Sequence, residues 1–360
     1  MMRKLKNNNN NFNPNLVILA RESRGLTQSD LADLLSVTQG KLSKIESGIS
    51  QISKDEISSI SKALNYPEHF FFQTDQVYGP GVTDLFHRKR QSISIRLLKK
   101  YHAIMQLRHM QVERLLKSVD IGTLNINQVD IDEPEAPTPE EIAQMIRASW
   151  NLPSGPIDNV VSVIEDAGGI IIPCDFETNK IDAMSRWIYG MPPLFFINTR
   201  MPMDRIRFTL CHELGHIIMH RLPNTNMENQ ADSFASEFLM PKRDIQSLLD
   251  NLSIEKLATI KKHFKVSMAA IVYCAKKLNK ITENQARYLY AQLGMLGYKT
   301  KEPDWLEPNR EQPKLFYDLV KVHLDDLHYS EAELSRILLL NEAEFKESFK
   351  FSARKLTVVR

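Results

Sequence analysis

The sequence predicts a multidomain chain: an all-α domain of five helices, then an α+β domain with a small sheet, then a helical C-terminal region. Three observations carry that expectation. The 360 residues exceed what one ordinary core holds. Between 14 and 73, apolar residues recur at helical spacing in short runs bounded by Pro, Gly or capping residues. Between 168 and 198 the pattern changes to short β-branched and aromatic runs, with longer helical patterns on either side.

Residues 1–13, basic and Asn-rich, are expected to be a disordered tail. Pro14 opens a helix with Leu16, Leu19 and Ala20 on one face, and Gly25 ends it. Thr27 caps a second helix carrying Leu31, Ala32 and Leu35, and Thr38 caps a third carrying Leu42 and Ile45 that stops at Gly48. Ser53 opens a fourth with Ile57, Ile60 and Leu64, and Pro67 begins a short fifth turn ending in Phe70 to Phe72. These five elements define a domain over 14–73. Gly79-Pro80-Gly81 breaks the pattern, and Ser92 or Ser94 starts a long basic helix. Acids and three prolines between Asp130 and Pro139 predict an extended connector, so 74–139 is a basic helical linker with a Pro-rich acidic end. Helices are expected over 140–150 and 156–166, strands over 170–172, 185–189 and 194–198, and helices over 205–220 and 227–240. The remainder is chiefly helical. The second domain spans 140–281, and a helical C-terminal region spans 282–360.

Hydrophobic residues at 42% and charged residues at 25% are the balance of a globular chain. Apolar stretches such as 168–173 and 194–197 fall far short of a bilayer span, and the N-terminus lacks the apolar segment of a secretory signal, so a cytoplasmic location without membrane contact is expected. Cys174, Cys211 and Cys274 form no C-x-x-C pair, which excludes a disulfide framework and a thiolate zinc knuckle and leaves three buried thiols. A formal net charge of +2 gives no global argument for nucleic-acid binding. Locally, Arg88 to Lys117 holds nine basic residues and the single acid Glu113.

His212-Glu213-Leu214-Gly215-His216 is the H-E-x-x-H pattern inside an apolar-periodic segment. Four residues of helix advance about 6 Å and about 40°, so both rings can converge on one tetrahedral Zn2+ while Glu213 reaches a water on that ion as general base. A third His six residues on would mark one zinc class, but Leu222 stands there. Glu228 is the expected third ligand, and Asp232, one turn further, the acid that accepts from the outward nitrogen of His212 or His216. The fold implied is zincin-like, of the gluzincin type, and the reaction amide hydrolysis. His220 is expected to face solvent or support the site rather than ligate, and Cys211 to lie in the core. Tyr189, Arg207 and His220 are unranked candidates for the oxyanion donor. Leu194–Asn198 is either an edge strand that an extended substrate joins or an ordinary buried strand.

Thr38 to Glu46 is placed by spacing as the second helix of a helix-turn-helix, whose N-terminal side chains enter the major groove of double-stranded DNA. Gln39 can read adenine, Lys41 guanine or phosphate, Ser43 and Lys44 can hold the backbone, and Gln28 a phosphate beside the helix start. Thr38 completes that contact set. Half-site geometry predicts a homodimer on an operator. The basic segment 88–117 is expected as a solvated amphipathic linker, with a wider DNA footprint or an acidic partner as alternatives.

With those residues in view, Gly25 to Ala32, Val37-Thr38 and Lys44 to Gly48 resemble an XRE-type (Cro/C1) helix-turn-helix. Arg207 to His216, Glu228-x-x-Ala-Asp232-x-Phe-Ala235 and Phe238-Leu-Met-Pro241 resemble the ImmA/IrrE metallopeptidase family. The resemblance implies zinc on His212, His216 and Glu228, Glu213 as base, and a substrate that is a helix-turn-helix repressor in phage, mobile-element or stress control. It also implies that Ser253 to Leu278, turning at Val266-Ser267, belongs to the peptidase domain. Cys211 and Gln230 depart from the family pattern, which favours a small residue and an acid there. Two other readings stand beside the zinc endopeptidase: a DNA-binding regulator whose zinc domain senses a signal or partner without cutting, and an antitoxin-like interaction module.

Overall fold

The computed structural model describes residues 12–74, 93–131, 133, 135–299 and 301–349. The Asn tract at 7–11, the Gly79-Pro80-Gly81 break, Ser92 and the basic residues Arg88, Lys89 and Arg90 lie outside the described residues. The chain forms two units, one helical and one containing the sheet. No helix among the described residues is long and apolar enough to cross a membrane.

The helical unit starts with α1 (Pro14–Ser23), α2 (Gln28–Leu34), α3 (Gln39–Glu46), α4 (Lys54–Leu64) and a 3-10 turn over Glu68–Phe72. Their starts follow from local chemistry. Thr27 with Asp30, and Ser53 with Glu56, close reciprocal capping boxes, and Thr38 Oγ1 accepts from the Lys41 amide. Two residues expected in the tail belong to the fold: Asn13 caps α1 and donates its amide to Phe71 O at 2.8 Å, while Phe12 packs edge-on against Phe72. Leu16, Ala20, Leu31, Leu42, Ile60, Leu64 and Phe70 make the core of this unit.

The long helix α5 (Ile95–Leu115), capped by Ser94, is no solvated linker. Ala103, Leu107 and Met110 lie one turn apart and join the same core, with Leu339 from the distant C-terminal segment. Its basic residues are spent inside the unit. Arg96 donates to Gly25 O and pairs with Asp30, Lys99 pairs with Glu22, and Arg114 donates to Ile337 O and Gln73 Oε1. An amphipathic charged face looks the same in sequence whether water or α1 covers it. Helices Glu331–Ile337 and Glu342–Ser348 also belong here, with Arg24 paired to Glu344 at 2.8 Å.

The sheet-containing unit holds α6 (Pro139–Ser149), α7 (Val160–Asp166), β1 (Ile170–Cys174), β2 (Ala183–Arg186), β3 (Leu194–Asn198), α8 (Met203–Met219) and α9 (Met227–Leu239). Then come α10 (Ile254–Phe264), α11 (Met268–Lys277) and α12 (Glu283–Met295). The sheet order is β1-β3-β2, with β1 parallel and β2 antiparallel to β3. Central, wholly buried β3 is therefore not an edge for a substrate. The second strand ends at Arg186 rather than Tyr189, because Trp187 Nε1 closes a turn on Met191 O and Gly190 takes a left-handed φ of 81°. The described residues of 282–316 cluster with this unit and residues 317–349 with the helical one.

Candidate metal centre and nucleic-acid face

Helix α8 runs through the middle of its unit, with Leu210, Leu214 and Ile218 in the core. Buried ion pairs fix its N-terminal half. Asp204 meets Lys261, and Arg207 pairs with Glu311 and donates to Ile157 O at 2.6 Å. Arg207 is thus committed to structure rather than to an oxyanion, and Tyr189 stands fully exposed. Helix α9 crosses α8 at Gly215, where a Cβ would come within 3.1 Å of the Phe234 ring. That close approach brings the first turns of α9 over the H-E-x-x-H face.

The rings of His212 and His216 stand 4.6 Å apart at 82°, with their Nε2 atoms 3.0 Å apart. Glu228 Oε1 lies 3.5 Å from His216 Nε2, and Oε2 lies 3.8 Å from His212 Nε2. One ligand atom from each of these three residues falls within 4.8 Å of the others. His212 Nδ1 faces Asp232 Oδ1 at 2.8 Å, so the ring of α8 is backed by an acid one turn beyond Glu228 on α9. His216 Nδ1 faces His220 Nδ1 at 3.0 Å, and His220 Nε2 faces Gln230 Oε1 at 3.0 Å. His220 is buried against the ring of His216, neither a solvent-facing side chain nor one of the converging three.

The donor set suits a divalent cation. Both Nδ1 atoms are engaged away from the centre, so two imidazole nitrogens and a carboxylate turn their electron pairs toward one small space. Burial opposes charge on His212, yet the bond to Asp232 and the nearby Glu213 and Glu228 outweigh it and hold that ring above its ordinary pKa. Burial, aided by the neighbouring His212, pulls His216 down, and burial together with His216 takes His220 to about 4.

Glu213, at 2% exposure, accepts a hydrogen bond from Ser185 Oγ at 2.5 Å. Sequence reasoning placed Ser185 only in a strand, and the contact, from β2 to α8, has no local signal. Gln230 registered only as a departure from an acid. Cys211 is fully buried in the core, where desolvation drives its thiol far upward, and burial takes Cys274 to about 11. Cys174 is only half-buried, because its strand ends there.

In the helical unit, Thr38, Gln39, Lys41, Ser43 and Lys44 are all exposed on α3. Two of them already have tasks: Thr38 caps α3, and Lys41 pairs with Glu56 at 2.6 Å. Gln28 is half-buried and donates to Glu46 Oε2 at 2.8 Å, while its side-chain Oε1 accepts from Gln39 Nε2 at 3.5 Å. Glu46 in turn pairs with buried Arg21 at 2.6 Å. That network sets the angle between α2 and α3.

The chain is similar to two families. A helix-turn-helix model matches residues 17–71, and a model described as IrrE N-terminal-like domain, peptidase M78, matches residues 164–276. No curated protein matches it. Among solved structures, ComR from S. thermophilus in complex with DNA and its signalling peptide ComS aligns over 93% of this chain and 99% of that one. Identity is 15% and the TM-score 0.16, too low for the likeness to carry any argument. The two family matches coincide with the two patterns met in the sequence, the helix-turn-helix on α1–α4 and the H-E-x-x-H helix with its Glu228 partner. Residues 17–71 thus match an XRE-type helix-turn-helix domain and residues 164–276 a peptidase domain of the ImmA/IrrE type, joined in one chain.

Proposed function

We propose that the chain is a zinc-dependent regulatory endopeptidase that cleaves a helix-turn-helix repressor, and that its own helix-turn-helix binds an operator as a homodimer. The observation that supports hydrolysis best is the meeting of His212, His216 and Glu228 with buried Glu213 on the same helix. His212, His216 and Glu228 would hold the ion. Bound zinc supplies polarisation of the scissile carbonyl and a water of lowered pKa. Glu213 takes the proton of the attacking water as the C–O bond forms, and delivers it to the amine nitrogen as the C–N bond breaks. Ser185 donates to one oxygen of that carboxylate and so holds its orientation. Asp232 fixes the orientation of His212. On the DNA side, exposed Gln39, Ser43 and Lys44 offer the groove and backbone contacts, with Thr38 shaping the helix start.

Glu213→Gln tests the reading. Loss of the base should lower repressor cleavage by about 10²–10⁴-fold while zinc content and operator binding persist. Regulation retained in cells carrying Glu213→Gln would rule out proteolysis as the mechanism and leave a sensing domain in its place.

A further inference from the structure

We infer that His220 and Gln230 form a proton-ordered relay behind His216, two positioning residues that fix which nitrogen of that ring is free to bind metal. The inference rests on the reading of His212, His216 and Glu228 as a metal centre. Metal-bound imidazoles ordinarily donate their outer N–H to a carboxylate, a carbonyl or water, which sets the tautomer. His212 does so through Asp232. At His216 the group facing the outer nitrogen is of another kind: Nδ1 meets another imidazole nitrogen, His220 Nδ1, at 3.0 Å.

The order of protons follows from the far end. The Gln230 side-chain oxygen can only accept, so the proton between it and His220, at 3.0 Å, sits on His220 Nε2. A neutral imidazole carries one N–H, so His220 Nδ1 holds a lone pair. His216 Nδ1 must then be the donor, and His216 Nε2 is left unprotonated, facing His212 Nε2 and Glu228. Each proton position is set by the one before it.

The fold makes the relay from two helix features. His220 is the residue at which α8 leaves helical geometry, with φ −116° and ψ 96°, and its amide still bonds His216 O at 3.0 Å. The ring is thereby swung behind His216 instead of continuing along the helix face. Gln230 lies on α9 between Glu228 and Asp232, so one and a half turns of α9 supply a ligand, the support of one ring and the end of the chain supporting the other.

Zinc affinity of the full-length protein, measured by competition with a chromophoric chelator, tests this without any activity assay. Gln230→Leu and His220→Phe should each weaken zinc binding by about 10–100-fold. Gln230→Glu, which still only accepts, should bind at least as tightly as the natural protein. Ring-nitrogen NMR of the zinc-loaded protein should show His220 as the Nε2–H tautomer and His216 as Nδ1–H. Half-buried Gln230 gives a pair of variants that keeps the test open even if His220→Phe fails to fold. Zinc uptake by the natural protein with unchanged affinity in Gln230→Leu, or a His220 protonated at Nδ1, overturns the relay alone. Absence of zinc uptake by the natural protein overturns the metal centre and the relay together.

Discussion

Lys261 has no contact with solvent and faces two acids, Asp204 at the start of α8 and Glu302 at 3.0 Å. Burial lifts the Glu302 carboxyl above its usual range, and the Lys261 charge only partly offsets that. Glu302 also accepts from the Met268 amide at 2.8 Å, so one ammonium joins the helix bearing His212 to the first turn of α11. Removing one member of a buried group of charges strands the others without compensation. Lys261→Met should therefore destabilise the sheet-containing unit by about 3–5 kcal/mol, read as a lower urea midpoint. A triple change to Lys261→Met, Asp204→Asn and Glu302→Gln should recover part of that loss, since no charge is then left buried. A triple variant as weak as the single one would mean that packing of the Lys261 stem, not charge, holds this corner.

Between elements, the bond of Lys41 on α3 to Glu56 on α4 shows how one carboxylate can serve two helices. Glu56 also accepts from the Ser53 amide at 2.8 Å as the capping partner of α4, and the Lys41 bond first, then that amide, hold its pKa at about 2. The folded pKa lies below the ordinary carboxylate value, so this contribution is present above about 4.5 and is lost as pH falls toward 2. Glu56→Gln should accordingly be less stable than the natural protein at neutral pH, with the gap closing between pH 4.5 and 2 in acid titrations followed by helical circular dichroism. A gap that stays constant across that range would refute the linkage. Such caps were legible in the sequence because Thr27, Thr38 and Ser53 act on amides only three residues away. The approach of His212 to His216 was legible for a similar reason, since helical spacing dictates it. What escaped depends on crossings: Ser185 with Glu213, His220 with Gln230, and α5 with Glu22, Asp30 and Leu339. No local pattern encodes which helix face a remote strand or turn will cover.

On the scale of the whole chain, the units are not stretches of sequence, because residues 317–349 fold with the helix-turn-helix. Leu339, 2% exposed, fills a place in the core of α1–α5, and Leu338 O receives a hydrogen bond from Gln111 Nε2 at 2.8 Å. Its φ of 60° is a left-handed conformation, costing on the order of 1 kcal/mol in a residue with a Cβ, which burial of the side chain offsets. Truncating a buried leucine to alanine costs about 2–5 kcal/mol. Leu339→Ala should therefore weaken the helical unit even though it lies far along the chain from α3. The three tryptophans, Trp150, Trp187 and Trp305, all belong to the sheet-containing unit, so their fluorescence reports that unit. Urea titrations of Leu339→Ala should show the helical circular dichroism beginning to fall at lower denaturant while the tryptophan midpoint stays in place, and operator binding should weaken in the same range. Equal shifts in both signals would mean that the two units unfold as one, and no shift in either would mean that Leu339 does not support the helix-turn-helix core.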